Sequence, residues 1–524
     1  MRPALWQPAE ALTPAEQAVM RRIRRAKLFV FLRTQRHVLF DRAFQEELAT
    51  LYADQPKGHP PVPPALLALV TLLQAYTGAS DAEAVEAAVL DRRWQLVLDG
   101  LDCADAPFSQ GTLVAFRERL IAVDLDRRLI ERTVEIAAQT KGCGHRKLRA
   151  ALDSSPLWGA GRVEDTYNLL GHALRKALGV LARQQGRERA AEAEVAGAPL
   201  LGAASLKAAL DCDWDDPAAR AEALEQILSA LAQVEAHVAA QPESPAQAAA
   251  QESVAVAQQV VQQDVEARPD GTVALRQGVA PDRRISVEDP DMRHGRKSRT
   301  QRVDGYKRHV LRDLASTLVR VVGLTAANAP EASVTPDMEA DLARQPVTLH
   351  ECHLDRAYLS STLVQERGPE LTIFCKAWPV RQGPHFAKTA FHLDWERGVI
   401  ACPQQVEVPF APGGVVHFPA QACAACPLRA QCTGSARGRS VTIHPDEQLL
   451  EELRARQLTP AGRAALRERV QVEHALAHIG AWQGDRARYR GRRKNLFDLR
   501  RTAVVHNLHV LQRLPDVGDL PQAA

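Results

Sequence analysis

The sequence has little that would direct the chain to a membrane or out of the cell. Its longest apolar run, around residues 66–73, is far shorter than the roughly 20 residues that cross a bilayer as a helix. The first residues, MRPALWQPAEALTPAEQ, do not have the basic start, apolar run and small-residue cleavage site of a secretory signal. We therefore expect a cytoplasmic protein without a membrane partner.

The chain also lacks a strong charge of one sign. Its 66 Lys and Arg residues nearly balance 63 Asp and Glu residues, and the net charge of +3 argues against a uniformly basic coat. Any nucleic-acid contact must therefore depend on how charge is distributed along the chain. Nine cysteines in a cytosolic protein do not predict a disulfide framework, because that compartment keeps thiols reduced, and their clustering indicates metal instead.

At 524 residues the chain is too long for one compact core, and its 46% hydrophobic and 25% charged residues are typical of a globular protein. Helical patterns, strand patterns and composition shifts divide it into segments. These are a helical amino-terminal domain (1–146), the first part of an α/β core (147–165 and 272–379), a helical insertion (166–271), a cysteine-bearing β insertion (380–445), carboxyl-terminal helices that complete the core (446–514) and a tail (515–524).

The sequence does not decide the function of two of these segments. The amino-terminal helix pairs, with N-cap candidates at Ser80 and Ser109, fit either a DNA-reading helix-turn-helix or ordinary bundle packing, and the second is the commoner case. For the Ala- and Gln-rich insertion we expect a solvated helical hairpin or a mobile arm without a catalytic role.

Three acidic residues stand at related places in the predicted elements. The strand KLRAALDSS ends at Asp153, a hairpin follows, the strand VTLHECHLD ends at Asp355, and the late helix ALRERVQVEHALAHI carries Glu473. This order is that of a ribonuclease-H-like α/β fold, a mixed sheet flanked by helices. Taken singly, each acid is more often a turn or cap residue. Together they fit a site for two Mg²⁺ or Mn²⁺ ions, since hard cations take oxygen ligands and two of them can clamp a phosphodiester under attack.

The wider pattern resembles the DDE transposases of bacterial insertion sequences whose third motif is R-x3-E. ALDSS resembles the first-acid motif, DGYKRHVLRD with GLTAANAPE the hairpin after it, LDRAYLSS the second motif, and RVQVEHALAHIGAW the third. PPALLALVTLLQAYTGASDAEA and SQGTLVAFRERL resemble the helical leader of that family, and RARYRGRRKNLFDLRRTAVVHNLHVL its closing helix. The resemblance implies that Asp153, Asp355 and Glu473 bind metal, with Arg469 orienting Glu473 or contacting phosphate.

The motifs depart from the family pattern at three positions. Leu466 stands where a tyrosine is usual, Gly480 where a lysine is usual, and Ala357 near the usual Gly-Tyr pair. None of these changes removes an acid. They do leave the accessory basic contact open, and Arg486, Arg488 or Arg490 is a candidate to supply it.

Two basic stretches are candidates for contact with DNA phosphates. Residues 292–309 include Lys307, and residues 486–494 carry Arg486, Arg488 and Arg490 beside Tyr489, just beyond Glu473. Such runs are usually solvated faces, but their position near the candidate acids favours DNA contact.

Four cysteines form a second candidate metal site. Cys402, Cys423, Cys426 and Cys432 include a C-x2-C pair, which can grip zinc through two thiolates, with the flanking thiols completing a tetrahedron. The spacing is looser than that of a zinc ribbon, so reduced structural thiols are the alternative, and His417 or His444 could replace a ligand. Similar cysteine-bearing insertions in the resembling transposases support a structural role.

The resemblance implies metal-dependent cleavage at transposon ends and strand transfer into target DNA. Double-stranded DNA, as ends and as target, would be the partner, with the chain acting as a homodimer on DNA and associating with the nucleoid when bound. Two other hypotheses stay open: a non-catalytic DNA-binding protein derived from a transposase, and a metal-dependent nuclease without strand transfer. The sequence does not separate the nuclease from the transposase.

Overall fold

The structure, a computed structural model, describes residues 2–54, 59–101, 103–140, 146–269, 271–296, 300–380 and 383–514. The predicted tail at 515–524 lies outside them. The described helices are α1 (Pro14–Arg22), α2 (Lys27–Leu39), α3 (Arg42–Ala49), α4 (Pro64–Thr77), α5 (Asp81–Leu90), α6 (Arg92–Leu98), α7 (Gln110–Ala122), α8 (Arg128–Ala138), α9 (Thr166–Gln184), α10 (Arg189–Val195), α11 (Leu206–Ala209), α12 (Pro217–Ala239), α13 (Pro245–Asp264), α14 (Thr335–Leu342), α15 (Thr362–Gln365), α16 (Ala420–Ala424), α17 (Arg429–Cys432), α18 (Glu447–Leu458), α19 (Pro460–Arg467), α20 (Val470–Gln483) and α21 (Arg492–Leu511).

The strands are β1 (Lys147–Trp158), β2 (Val265–Ala267), β3 (Val273–Leu275), β4 (Arg293–Arg296), β5 (Arg302–Asp313), β6 (Val319–Ala326), β7 (Thr348–Leu354), β8 (Thr372–Phe374), β9 (His392–Asp394), β10 (Val399–Ala401), β11 (Glu407–Pro409), β12 (Val415–His417) and β13 (Ser440–Thr442). The protein is therefore a mixed α/β structure, as expected. Among the described residues, no helix is both long and apolar enough to span a bilayer.

The main sheet has six strands in the order β4-β5-β1-β7-β8, with β6 also paired to β5. The predicted hairpin is present, because β5 and β6 run antiparallel and β5 runs antiparallel to β1. On the other side of β1, β7 runs parallel to it and β8 runs parallel to β7. An antiparallel half and a parallel half thus meet at β1.

The first strand is longer than predicted. We expected it to end at Asp153, but β1 continues to Trp158, because its antiparallel pairing with β5 persists to Gly305. Its parallel pairing with β7 stops at Leu152, opposite Leu354. From Asp153 onward one edge of β1 is therefore no longer covered by β7, and the sheet opens there.

The amino-terminal helices begin and end at local signals and then pack on the sheet. Ser80 caps α5 in a capping box with Glu83, and Ser109 caps α7, as predicted. Helix α4 is buried along almost its whole length and contacts α21. The apolar cluster around it continues into the sheet through residues such as Val310 and Val322. These helices therefore share one core with the sheet.

The insertion is helical, as predicted, but it is not a solvated hairpin or an arm. Helices α9 to α13 enclose an apolar cluster of their own, in which Leu174, Leu224 and Val260 are fully buried. Burial of this kind stabilises the insertion as a packed layer of helices.

Residues 383–443 form small sheets of short strands, β9-β10-β11 and β12-β13, around a small core that includes Phe391, Ile400 and Val441. Helices α18 to α21 follow, which agrees with the predicted change to helix near residue 446.

Candidate functional site

Strand register places two of the predicted acids next to each other. Because Leu152 pairs with Leu354, the residues that follow, Asp153 and Asp355, lie side by side where β7 leaves the sheet. Asp355 directly follows the strand and caps the short 3-10 turn after it, accepting a hydrogen bond from the Arg356 N–H at 2.7 Å. Both carboxylates line one cleft of about 210 Å³. Sites in α/β sheets gather at such strand ends.

The third predicted acid, Glu473, lies on helix α20. Val472, Ala475 and Ile479 form the buried face of α20, which packs on β1 and β5. Glu473 lies in the first turn of α20, and its side chain is 50% exposed. The apolar side of the helix therefore fixes where the carboxylate of Glu473 stands relative to the sheet.

Arg469 joins the helix acid to the strand acid. It directly precedes α20, and its guanidinium donates to the Asp153 carboxylate and, at 3.1 Å, to Glu473. The predicted pairing of Arg469 with Glu473 is thus present, and the contact with Asp153 is additional. One cation lies between two of the three acids.

The groups around Asp153 shift its pKa in opposite directions. Burial raises the pKa of Asp153, the Arg469 guanidinium lowers it, and the carboxylates of Asp355 and Glu473 raise it again. The net effect is a raised pKa. The carboxylates of Asp355 and Glu473 therefore both act electrostatically on Asp153. As the side chains stand, no three His, Cys, Asp or Glu residues of the described chain are grouped closely enough to hold a metal ion.

Asp355 also borders a second cleft, of about 250 Å³, on the side of α20. Three cationic side chains line this cleft, those of Arg356, Lys376 and Arg469, together with Leu466. The first cleft contains Arg296 and Lys307 beside the acids. Sequence reasoning did not identify Arg356 or Lys376, although Arg356 directly follows the second acid.

The residues predicted to contact DNA differ in their exposure and in their hydrogen-bond and ion-pair partners. Lys307 is half-buried, and its Nζ donates to the Ala329 carbonyl at 2.9 Å. Arg486 is exposed and has no ion pair with described residues. Arg488 donates to the carbonyls of Gly78 and Ala79, at 3.1 and 3.0 Å. Arg490 forms an ion pair of 2.5 Å with Glu288.

Gly480 stands where the similar transposases have a lysine, and it packs against Arg308. A Cβ atom on Gly480 would lie 3.2 Å from Nη2 of Arg308. Arg308 is buried and donates to Ser155 at 2.7 Å and to Gln483 at 3.1 Å. The guanidinium of Arg308 thus links β5 to β1 and to α20 by hydrogen bonds. It lies against Gly480, where the similar transposases have a lysine side chain.

A buried pair supports the turn after Asp355. Tyr358 is fully buried, and its hydroxyl lies 2.7 Å from Nδ1 of His309 on β5. Burial lowers the pKa of His309 to about 3, so the imidazole is neutral at physiological pH. This contact fixes the turn that carries Asp355 against the sheet.

The four predicted cysteines surround one cavity of about 240 Å³. Burial raises the pKa of Cys432, the nearby Arg439 lowers it, and the thiols of Cys423, Cys402 and Cys426 raise it further. All four cysteines are free thiols. The alternative ligands His417 and His444 do not line this cavity.

Comparison with known families matches both ends of the chain to transposases. Residues 402–512 match the family described as Transposase DDE domain, and residues 19–119 match the Transposase domain family (DUF772). These two matches support the identification of an insertion-sequence DDE transposase, which the sequence motifs indicated. The DDE match includes Arg469, Glu473 and the four cysteines, whereas Asp153 and Asp355 lie outside both matched segments. No curated protein and no solved structure matches the chain.

Proposed function

We propose that the protein is a DNA transposase that cuts at transposon ends and joins them to target DNA through one site formed by Asp153, Asp355 and Glu473. The observation that carries this proposal is the strand register, which sets Asp153 beside Asp355, together with Arg469, which links Asp153 to Glu473. The sheet supports it, because an antiparallel β6-β5-β1 half and a parallel β7-β8 half have the strand order expected of a ribonuclease-H-like core.

The donor set fits hard divalent cations. The carboxylates of Asp355 and Glu473 both act electrostatically on Asp153, and oxygen ligands are those that Mg²⁺ and Mn²⁺ prefer. A pair of such ions, when bound, activates the attacking hydroxyl and stabilises the leaving oxygen of a phosphodiester. Arg469 neutralises part of the carboxylate charge in the present arrangement, and it is free to contact phosphate once cations hold Asp153 and Glu473.

The clefts on either side of Asp355 supply the contacts for DNA. Arg296 and Lys307 line one cleft, and Arg356 and Lys376 line the other. DNA phosphates on both sides of the acids would therefore contact basic side chains. Arg486, in the later basic stretch, is exposed and forms no ion pair with a described residue, so it can reach duplex DNA without losing such a partner. Arg488 and Arg490 would first have to leave Gly78, Ala79 and Glu288.

We also propose a structural zinc site at Cys402, Cys423, Cys426 and Cys432. The shared cavity supports this proposal, and so does the small core of residues 383–443, since small β units often need a metal or a disulfide for stability. Metal analysis of purified protein tests it. About one equivalent of zinc, lost when Cys426→Ser is introduced, is expected, whereas less than one equivalent with four reactive thiols would contradict the site.

The test of the main proposal is cleavage of DNA that carries the transposon ends. Asp153→Asn, Asp355→Asn and Glu473→Gln should each abolish Mg²⁺-dependent cleavage while the protein still binds the DNA. Glu468→Gln is the matched control, since Glu468 lies five residues before Glu473 and pairs with Arg149 at 2.9 Å, away from Asp153. Full cleavage by any of the three variants would remove that residue from the site.

Strand joining separates transposase from nuclease. If the wild type cuts the ends and then joins the freed 3′-hydroxyl to a second duplex, the transposase is supported. Cutting without joining under the same conditions would favour the nuclease, and DNA binding with neither reaction would favour a non-catalytic DNA-binding protein. We expect a homodimer on the DNA, which the mass of the complex with one pair of ends reports.

A further inference from the structure

Near the amino terminus the chain has a strongly basic stretch without an acidic residue, and it lies far from the candidate acids in sequence. Residues 17–40 contain no Asp or Glu but seven Lys or Arg residues. This concentration stands out in a chain whose charges nearly balance overall. A solvated helix face usually mixes both signs, so the absence of acids needs a physical reason.

Two of these seven residues have structural roles. Arg33 is 1% exposed and pairs with Glu16 at 2.5 Å, and Arg36 is equally buried and pairs with Asp99 at 2.6 Å. Removing either partner would leave a buried charge, so these two arginines serve the fold.

The other five are exposed, and none of them forms an ion pair with any residue in the described part of the chain. We name these five the amino-terminal basic patch: Arg21, Arg22, Arg24, Arg25 and Lys27. None of them lines either cleft beside Asp355. The patch is therefore separate from the candidate catalytic site.

The backbone beneath the patch is fixed although its side chains are free. Arg21 and Arg22 end α1, and Lys27 begins α2. Between them Ile23 is buried, and its N–H donates to the carbonyls of Val19 and Met20. The corner between α1 and α2 thus holds five cationic groups on an ordered turn.

We infer that the amino-terminal basic patch binds the phosphate backbone of duplex DNA outside the site of cleavage. Five like charges within seven residues repel one another, and none of them forms an ion pair with a described acid. A polyanion relieves it and releases its own counterions, which is the dominant source of sequence-independent affinity for DNA. This inference rests on the proposed function for the choice of DNA over another polyanion, and the patch lies within the segment that matches a transposase domain.

The test compares two triple variants of equal charge. Arg21→Gln, Arg24→Gln and Arg25→Gln together remove three positive charges from the patch. Lys176→Gln, Arg183→Gln and Arg220→Gln together remove three exposed positive charges from α9 and α12 of the insertion. The full chain is titrated with a short linear duplex of arbitrary sequence at several salt concentrations.

The patch variant should bind this duplex at least about tenfold more weakly, and the slope of log affinity against log salt should fall in magnitude by about 3. The insertion variant should keep the wild-type affinity and slope. Both should unfold at the wild-type urea concentration, and at saturating end DNA the patch variant should cleave at the wild-type rate.

Three outcomes would overturn the inference. Equal losses in both variants would show a general charge effect, and an unchanged slope in the patch variant would show that the patch does not meet phosphate. Binding of the wild type to anionic vesicles but not to the duplex would assign the patch to another partner. In all three cases cleavage by the wild type still decides the proposed function separately, whereas a wild type that neither binds nor cuts DNA would overturn both.

Discussion

The two arginine-rich regions at opposite ends of the chain differ in what their side chains do. The amino-terminal basic patch is exposed and unpaired within the described residues, whereas many arginines between residues 488 and 501 have internal partners. Arg488 binds two carbonyls, Arg490 binds Glu288, and Arg493 binds Asp126 at 2.5 Å. A dense run of basic residues in a sequence therefore does not show which of them are available to DNA. The partners that decide this come from distant parts of the chain.

Removal of Arg500 should give the largest loss of stability. Its guanidinium is almost fully buried and bonds Asp124 at 2.5 Å, Asp126 at 3.2 Å and Asp341 at 3.0 Å. Arg500→Ala leaves these acids short of a cation, so the free energy of unfolding in urea should fall by about 3 kcal/mol or more. Arg486→Ala, the exposed control, should change it by less than about 0.5 kcal/mol. Equal stability of the two variants would contradict the structural role that the internal partners give to the carboxyl-terminal arginines.

Two buried histidines, His309 and His506, form a third class of basic side chain, neither paired with an acid nor exposed. Burial lowers the pKa of His309 to about 3 and that of His506 to about 4, while both titrate near 6.5 in the unfolded chain. The unfolded chain then binds more protons between these values, so stability is complete above pH 6.5 and is lost as the pH falls. The loss from one such histidine approaches about 1.4 kcal/mol per pH unit.

His309→Gln should flatten this acid dependence, because the variant has no imidazole to titrate at that position. The exposed His392 offers a control, and His392→Gln should keep the wild-type slope. Urea unfolding between pH 4 and pH 7 gives the comparison. A His309→Gln slope as steep as that of the wild type would mean that His309 is not held neutral.

Arg488 should show a smaller effect that sharpens the comparison further. Arg488→Gln loses two hydrogen bonds to the carbonyls at the end of α4, so the free energy of unfolding should fall by about 1 kcal/mol. The salt dependence of its DNA affinity should stay closer to the wild-type value than that of the patch variant does. A large drop in the salt slope with unchanged stability would instead return Arg488 to the DNA surface.

The order of strand, hairpin, strand and late helix could be predicted from the sequence because these patterns are local, and the register of β1 and β7 then brings Asp153 and Asp355 together. The role of the three acids as metal ligands stays a prediction. The end of β1 could not be predicted, since pairing with a distant strand carries it past Asp153 to Trp158. The packing of the insertion was missed because its helices have an Ala- and Gln-rich composition whose apolar faces meet only in the fold. Arg356 and Lys376 were missed for a similar reason, since they meet at Asp355 from different segments.

If the three acids are metal ligands, as we propose, exchange of one of them for a thiol should change which metal ion supports cleavage. Asp355→Cys should lose cleavage in Mg²⁺ and regain part of it in Mn²⁺, because a thiolate binds the softer ion better. Glu331→Cys, which alters a carboxylate of the same cleft that lies 4.0 Å from Lys307, should cleave in both metals. Loss of cleavage by Asp355→Cys in Mg²⁺ with recovery in Mn²⁺ is the predicted result, and cleavage in Mg²⁺ at the wild-type rate would contradict the assignment.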